Sequence, residues 1–196
     1  MIDAGSGDVY LPNGFVIAPA LTLSGFQQSW FGRHAAPNYP RSEPWRCWFL
    51  LDAGMLTGFR LSVQLSFYEQ MLVSVCLTCA AEIVDGQPET WLPAELRVKS
   101  FHDALLQEDL GEPDAFTKTS RDDPGLDKAP NYLLPWGKVV SEFDDGGGDA
   151  FIDVEYDGRR AQTRDEERKR KGEQRQQKAD AETWMASVVR QINDEH

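Results

Sequence analysis

The chain has little of what small catalytic centres are built from. Its 196 residues include three cysteines and three histidines. Cys47, Cys76 and Cys79 are an odd number without the spacing of a disulfide framework, which suits a reducing compartment. Cys76 and Cys79 fall three apart in a strand-like run, where they point to opposite faces, and there is no second pair to complete a zinc site. His34, His102 and His196 have no ligand spacing. His102 and Asp103 are neighbours on an expected helix, do not face each other, and are read as part of a solvated face; no nucleophile-elbow glycine pattern accompanies Ser100. Long apolar runs are missing too: nothing approaches the ~18 residues a membrane span needs. MIDAGSGDVYLPNG opens with neither a basic nor an apolar region of the signal-peptide kind, so the cytoplasm is the expected address.

Positive charge is scarce over most of the chain. Residues 1–157 carry 10 Lys and Arg against 24 Asp and Glu, a balance of −14, whereas residues 158–196 carry 10 against 8, a balance of +2. Such a body repels phosphates at long range and attracts basic proteins, so a nucleic-acid partner is not expected. The shift at residue 158 also divides the chain into an expected domain over 1–157 and a charged helical segment over 158–196.

Alternation of apolar and polar residues is what the chain does have. Phe59, Leu61, Val63, Leu65 and Phe67 alternate with Arg60, Ser62, Gln64 and Ser66, the pattern of a strand with one buried face. Met71, Val73, Val75, Leu77 and Cys79 repeat it after Glu69-Gln70; Trp45, Cys47, Phe49 and Leu51 precede it before a turn at Asp52-Ala53-Gly54. Two later runs, 137–143 and 150–156, alternate in the same way. Val98, Phe101, Leu105 and Leu106 form a helical stripe between Pro93 and the stop Leu110-Gly111-Glu112-Pro113. Residues 14–18 suggest a short strand, and Thr22 or Ser24 caps a short helix ending at Gly32. The proline-rich segments 33–44 and 112–131 read as loops. The expectation is an α+β fold: one antiparallel sheet of five to six strands, a covering helix over 94–110, and a charged C-terminal helix.

Two features invite a functional reading. Asp144, Asp145 and Asp149 surround Gly146-Gly147-Gly148, but two strands flank them. A calcium loop needs six or more oxygens and usually a bidentate Glu, and a phosphate loop needs a following helix. The segment is therefore a hairpin turn, and no metal or cofactor is expected. The second feature is aromatic: Trp30, Phe31, Tyr39, Trp45 and Trp48 crowd one loop region, the composition of a binding hot spot. Trp30, Tyr39 and Trp45 are the candidate partner-binding anchors, with Asp144 and Asp145 as charges on a projecting turn.

The C-terminal segment begins with Thr163 and Glu166 at capping-box spacing, stays polar, and ends in Trp184, Met185, Val188, Val189 and Ile192. That distal patch must dock on the body, a sister subunit or a partner, so a homodimer through this helix is one expectation.

Gly14, Ile17, Pro19, Leu21 and Thr22 precede the strand Phe59 to Phe67; Leu110, Gly111 and Pro113 close the helix; Trp136, Gly137, Val139, Ser141 and Asp144 lead to Ile152, Val154 and Tyr156. In this order, over residues 14–156, the chain resembles small bacterial cytoplasmic proteins, some similar to immunity proteins encoded beside secreted polymorphic toxins. The resemblance implies a non-enzymatic protein that neutralises a cognate toxin by occluding it. The acidic body and the aromatic loops suit capture of a basic enzyme such as a nuclease. The alternatives are a secretion chaperone or adaptor, and a hydrolase built on the carboxylates of residues 142–157.

Overall fold

The computed structural model describes residues 1–38, 44–50, 53–81, 91–119, 123–144, 149–156 and Lys169. The chain divides into two compact units, Met1–Gly158 and Arg159–His196. The expected C-terminal helix and its apolar patch lie outside the described residues, as do Tyr39 and Asp145.

In the first unit the elements follow as β1 (Val9–Tyr10), β2 (Val16–Ile17), α1 (Leu23–Gln28), α2 (Trp30–His34), β3 (Ala36–Asn38), β4 (Trp45–Leu50), β5 (Met55–Leu56), β6 (Phe59–Tyr68) and β7 (Met71–Ala81). Then come α3 (Trp91–Leu110), β8 (Ala115–Lys118), β9 (Lys128–Leu134), β10 (Gly137–Asp144) and β11 (Asp149–Tyr156). β1 and β2 pair with each other. The rest form a nine-stranded sheet in the order β3-β4-β6-β7-β11-β10-β9-β8, with β5 on β6 beside β4. Every pairing is antiparallel. The fold is α+β, and all five strands marked by alternation are present.

The sheet exceeds the expected five or six strands because two supposed loops contribute to it and the short β5 adds to β6. β3 lies in the proline-rich segment 33–44, at one edge of the sheet. β8 and the start of β9 occupy residues expected to be a loop over 112–131. All of β8 is exposed, so it lacks the buried half of an alternating pattern. Polar side chains help tie it to β9. Asn131 Nδ2 donates to Thr117 Oγ1 at 3.0 Å and to the Ala129 carbonyl at 2.7 Å, and the Leu133 N–H donates to Asp114 at 2.7 Å.

The β6–β7 hairpin carries a second correction. Ser66 pairs with Ser74 but Phe67 pairs with Leu72, so Val73 is an extra residue in a β-bulge. Past the bulge the alternation changes phase, and Leu72 joins the core in place of Met71. The tight link uses Glu69 at φ 54, a turn conformation that few residues other than glycine adopt.

One face of the sheet is apolar: Leu61, Val63, Leu65, Leu77, Val139, Ile152 and Val154 belong to a single buried cluster. Burial of each such side chain contributes ~1.5–3 kcal/mol. α3 packs against β7, β10 and β11 on this face, and Phe101 stacks on Phe59 at 4.6 Å. The N-terminal strap closes the same core with Ile2, Val9 and Leu11. It is anchored by polar bonds: the Ile2 N–H donates to Asp109 at 2.7 Å, Trp136 Nε1–H to the Ala4 carbonyl at 2.9 Å, and the Tyr156 hydroxyl to the Gly7 carbonyl at 3.2 Å. Gly7 takes φ +78, and a Cβ there would stand 2.6 Å from the Trp136 ring.

Candidate binding face and an interior polar layer

The expected single helix after Thr22 is two. Thr22 Oγ1 caps α1 by accepting the Gly25 N–H at 3.1 Å. Ser29 then ends α1 and begins α2: its extended backbone donates to the Gly25 and Phe26 carbonyls, while its Oγ accepts the Gly32 N–H at 2.9 Å. The break allows α2 to fold back closely. A Cβ on Gly32 would fall 1.9 Å from the Phe26 carbonyl oxygen, so only glycine fits.

This corner presents Trp30. Phe26 is fully buried beneath it, against Phe15, Trp48 and Phe67. Phe15 stacks on Phe31 at 4.4 Å, and Phe31 meets Trp30 edge to face at 5.1 Å. The His34 ring lies 4.3 Å from Trp30, and its Nδ1 is 2.7 Å from the Trp30 carbonyl. A carbonyl only accepts, so Nδ1 carries the proton. Trp30 nevertheless remains 60% exposed. Its ring is held by contacts on its flanks while much of its surface faces water.

Trp45 sits elsewhere, at the start of β4, half-buried and edge-on to Tyr68 at 5.3 Å. Asp144 ends β10, paired through its backbone with Asp149. Of the five residues proposed from the sequence, Trp30 and Trp45 have described side chains, in two separate aromatic sets. On the sheet face turned away from α3, β10 and β11 carry Glu142, Asp153 and Glu155 against Lys138, which pairs in register with Glu155. These carboxylates belong to the 142–157 set that the sequence offered as a hydrolase alternative, and their alternation with core residues marks the face they share.

The second constellation is interior and corrects the reading of the His102 segment as a solvated face. His102 is 0% exposed, in the stripe between Val98 and Leu106. Neither ring nitrogen has a hydrogen-bond partner among the described residues. Ser141 on β10, also 0% exposed, lies in the same alternation as core residues Val139 and Phe143, and its Oγ is likewise unpartnered. Lys99, one turn before His102, is 1% exposed and holds both Asp103 oxygens, at 2.6 and 2.7 Å. Burial, reinforced by the Lys99 charge, pushes the His102 pKa down to about 4. Burial and then the Asp103 and Glu112 carboxylates raise that of Tyr132. The spacing from Val98 to His102 to Leu106 is the signal that could have placed His102 inside.

A serine and an imidazole with no exposed surface offer a substrate no path to either. Cys76 and Cys79 are also unsuited to thiolate chemistry: burial raises Cys76, with help from the Asp153 charge, and Cys79 to about 12. Among the described residues no cluster of His, Cys, Asp and Glu is placed to hold a metal, and no helix is long and apolar enough to cross a membrane. No family model, curated protein or solved structure matches the chain.

Proposed function

We propose that the protein works by binding rather than by catalysis, capturing a cationic protein through its acidic body. Immunity to a basic toxin is the form of this activity that the resemblance implies. The observation that carries the reading is Trp30: a large ring, 60% exposed, held against Phe31 and His34. An anchor already ordered before binding loses little conformational freedom on association, and Trp is prominent among interface hot spots. The charge balance of −14 over residues 1–157 steers a basic partner towards the surface. Tyr39, Trp45, Asp144 and Asp145 complete the proposed contact set. The cytoplasm remains the proposed location.

The test is a pull-down with the product of the adjacent gene in low and high salt. Capture should weaken with salt, because screening cuts the reach of the field to ~10 Å at 0.1 M. Trp30→Ala, Tyr39→Ala and Asp145→Lys should each weaken it further. A harmless neighbour, or binding indifferent to salt and to all three substitutions, would overturn the immunity reading.

A specific observation favours a second reading, a chaperone or adaptor. β8 is an edge strand with every residue exposed, and Phe116 on it is 61% exposed. An extended partner segment adding to that edge would gain main-chain hydrogen bonds. Loss of capture on Phe116→Pro, with Trp30→Ala silent, favours this reading over the first.

A further inference from the structure

We infer that His102 is a proton-triggered latch: while neutral it lets α3 seal the apolar face of the sheet, and once protonated it drives the helix off. The inference rests on where the imidazole lies and on what surrounds it. His102 is wholly buried between Val98 and Leu106, on the side of α3 that packs against β7, β10 and β11. A neutral ring is tolerated there. An imidazolium has two N–H donors and a charge, and no acceptor among the described residues bonds either nitrogen.

The surrounding groups do not rescue the charge. On α3, Lys99 is a buried ammonium one turn away, and Asp103 already bonds that ammonium with both oxygens. Asp109 accepts the Ile2 N–H and is ion-paired with the Met1 ammonium at 2.7 Å. β10 faces the layer with Ser141 between Val139 and Phe143. β7 brings Cys79, β11 brings Tyr156, whose hydroxyl bonds Gly7, and β9 brings Tyr132. None of these four is anionic near neutral pH. A second cation beside Lys99 therefore has no counter-ion within the layer.

The sign follows from linkage. The pKa of His102 is lowered from 6.5 to about 4 by burial and by Lys99. The open form, with an ordinary imidazole, thus binds the proton more tightly than the closed form. The closed form is fully favoured above pH 6.5 and loses about a factor of ten per pH unit below it, until the closed form itself protonates near pH 4.

Hydrogen–deuterium exchange on the full chain from pH 7 to 4.5, corrected for intrinsic rates, tests the latch together with a histidine NMR titration assigned through His34→Gln and His196→Gln. Protection of the α3 amides should fall about 40-fold between pH 6.5 and 4.5, while β6 and β7 hold. The closed-state His102 resonance should not titrate above pH 5, and His102→Leu should abolish the step. Lys99→Met provides an independent arm: without the repelling ammonium, and with Asp103 released, the step should shrink. Titration of His102 at an ordinary pH with α3 still protected overturns the latch. So does a step that survives His102→Leu, is unchanged in Lys99→Met, or spreads equally over β6 and β7.

Discussion

The Trp30 corner and the His102 layer invert the usual placement of side chains. At the corner a large aromatic ring stands in water; under α3 an imidazole, a serine hydroxyl and a lysine stem are kept out of it. The two differ in what holds them. Trp30 is held between His34 and Phe31, the latter stacked on Phe15 and through it on the buried Phe26, on a backbone fixed by the Ser29 double cap. The His102 layer depends on one ion pair and on the neutrality of one ring. The corner should therefore be robust and available for binding, and the layer conditional on its charges.

The difference can be broken from the largest effect downwards. Phe26→Ala removes the buried ring shared by Phe15, Trp48 and Phe67 and should cost ~3–5 kcal/mol in urea unfolding. A loss below about 1 kcal/mol would mean that the corner does not rest on this ring. Gly32→Ala drives a Cβ into the Phe26 carbonyl, with only backbone to yield, and should cost about 3 kcal/mol. In the Gly32→Ala variant, Trp30 fluorescence should also change, since α2 cannot keep its approach to α1.

In the interior, Asp103→Ala leaves the Lys99 ammonium buried and unpaired. The expected loss is ~2–3 kcal/mol, below the usual penalty for breaking a buried pair because the Asp103 side chain is itself 38% exposed. Adding Lys99→Met should recover most of it; failure to recover would show that Asp103 acts through something other than the pair. The smallest effect belongs to the corner's surface: Trp30→Ala should change stability by less than about 0.5 kcal/mol. It should nevertheless weaken partner capture by roughly 30-fold, the scale of a hot-spot anchor. A stability loss above about 1 kcal/mol would identify Trp30 as a structural ring and remove the main support for the binding face.

Alternation and the helical stripe determined, from sequence alone, the strands β4, β6, β7, β10 and β11, their antiparallel sense, and the helix over them. Those patterns are legible because half of each element is buried, and burial imposes the period. They also left Trp30 as an aromatic outside the main strands and put Trp45 at the start of one. Only the tertiary structure decided the rest. β3 and β8 are edge strands with little or no buried half to write a period, and β8 is tied down by Asn131 and Asp114. The bulge at Val73 shifts phase through pairing with Ser66 and Phe67, which no local run of residues encodes. The placement of Trp30 in water depends on Gly32 meeting Phe26. His102 was misplaced because its polarity outweighed its position in the stripe. Whether a polar residue in such a stripe is buried depends on what packs across from it, here the sheet strands β7, β10 and β11, and that packing joins residues far apart in the chain.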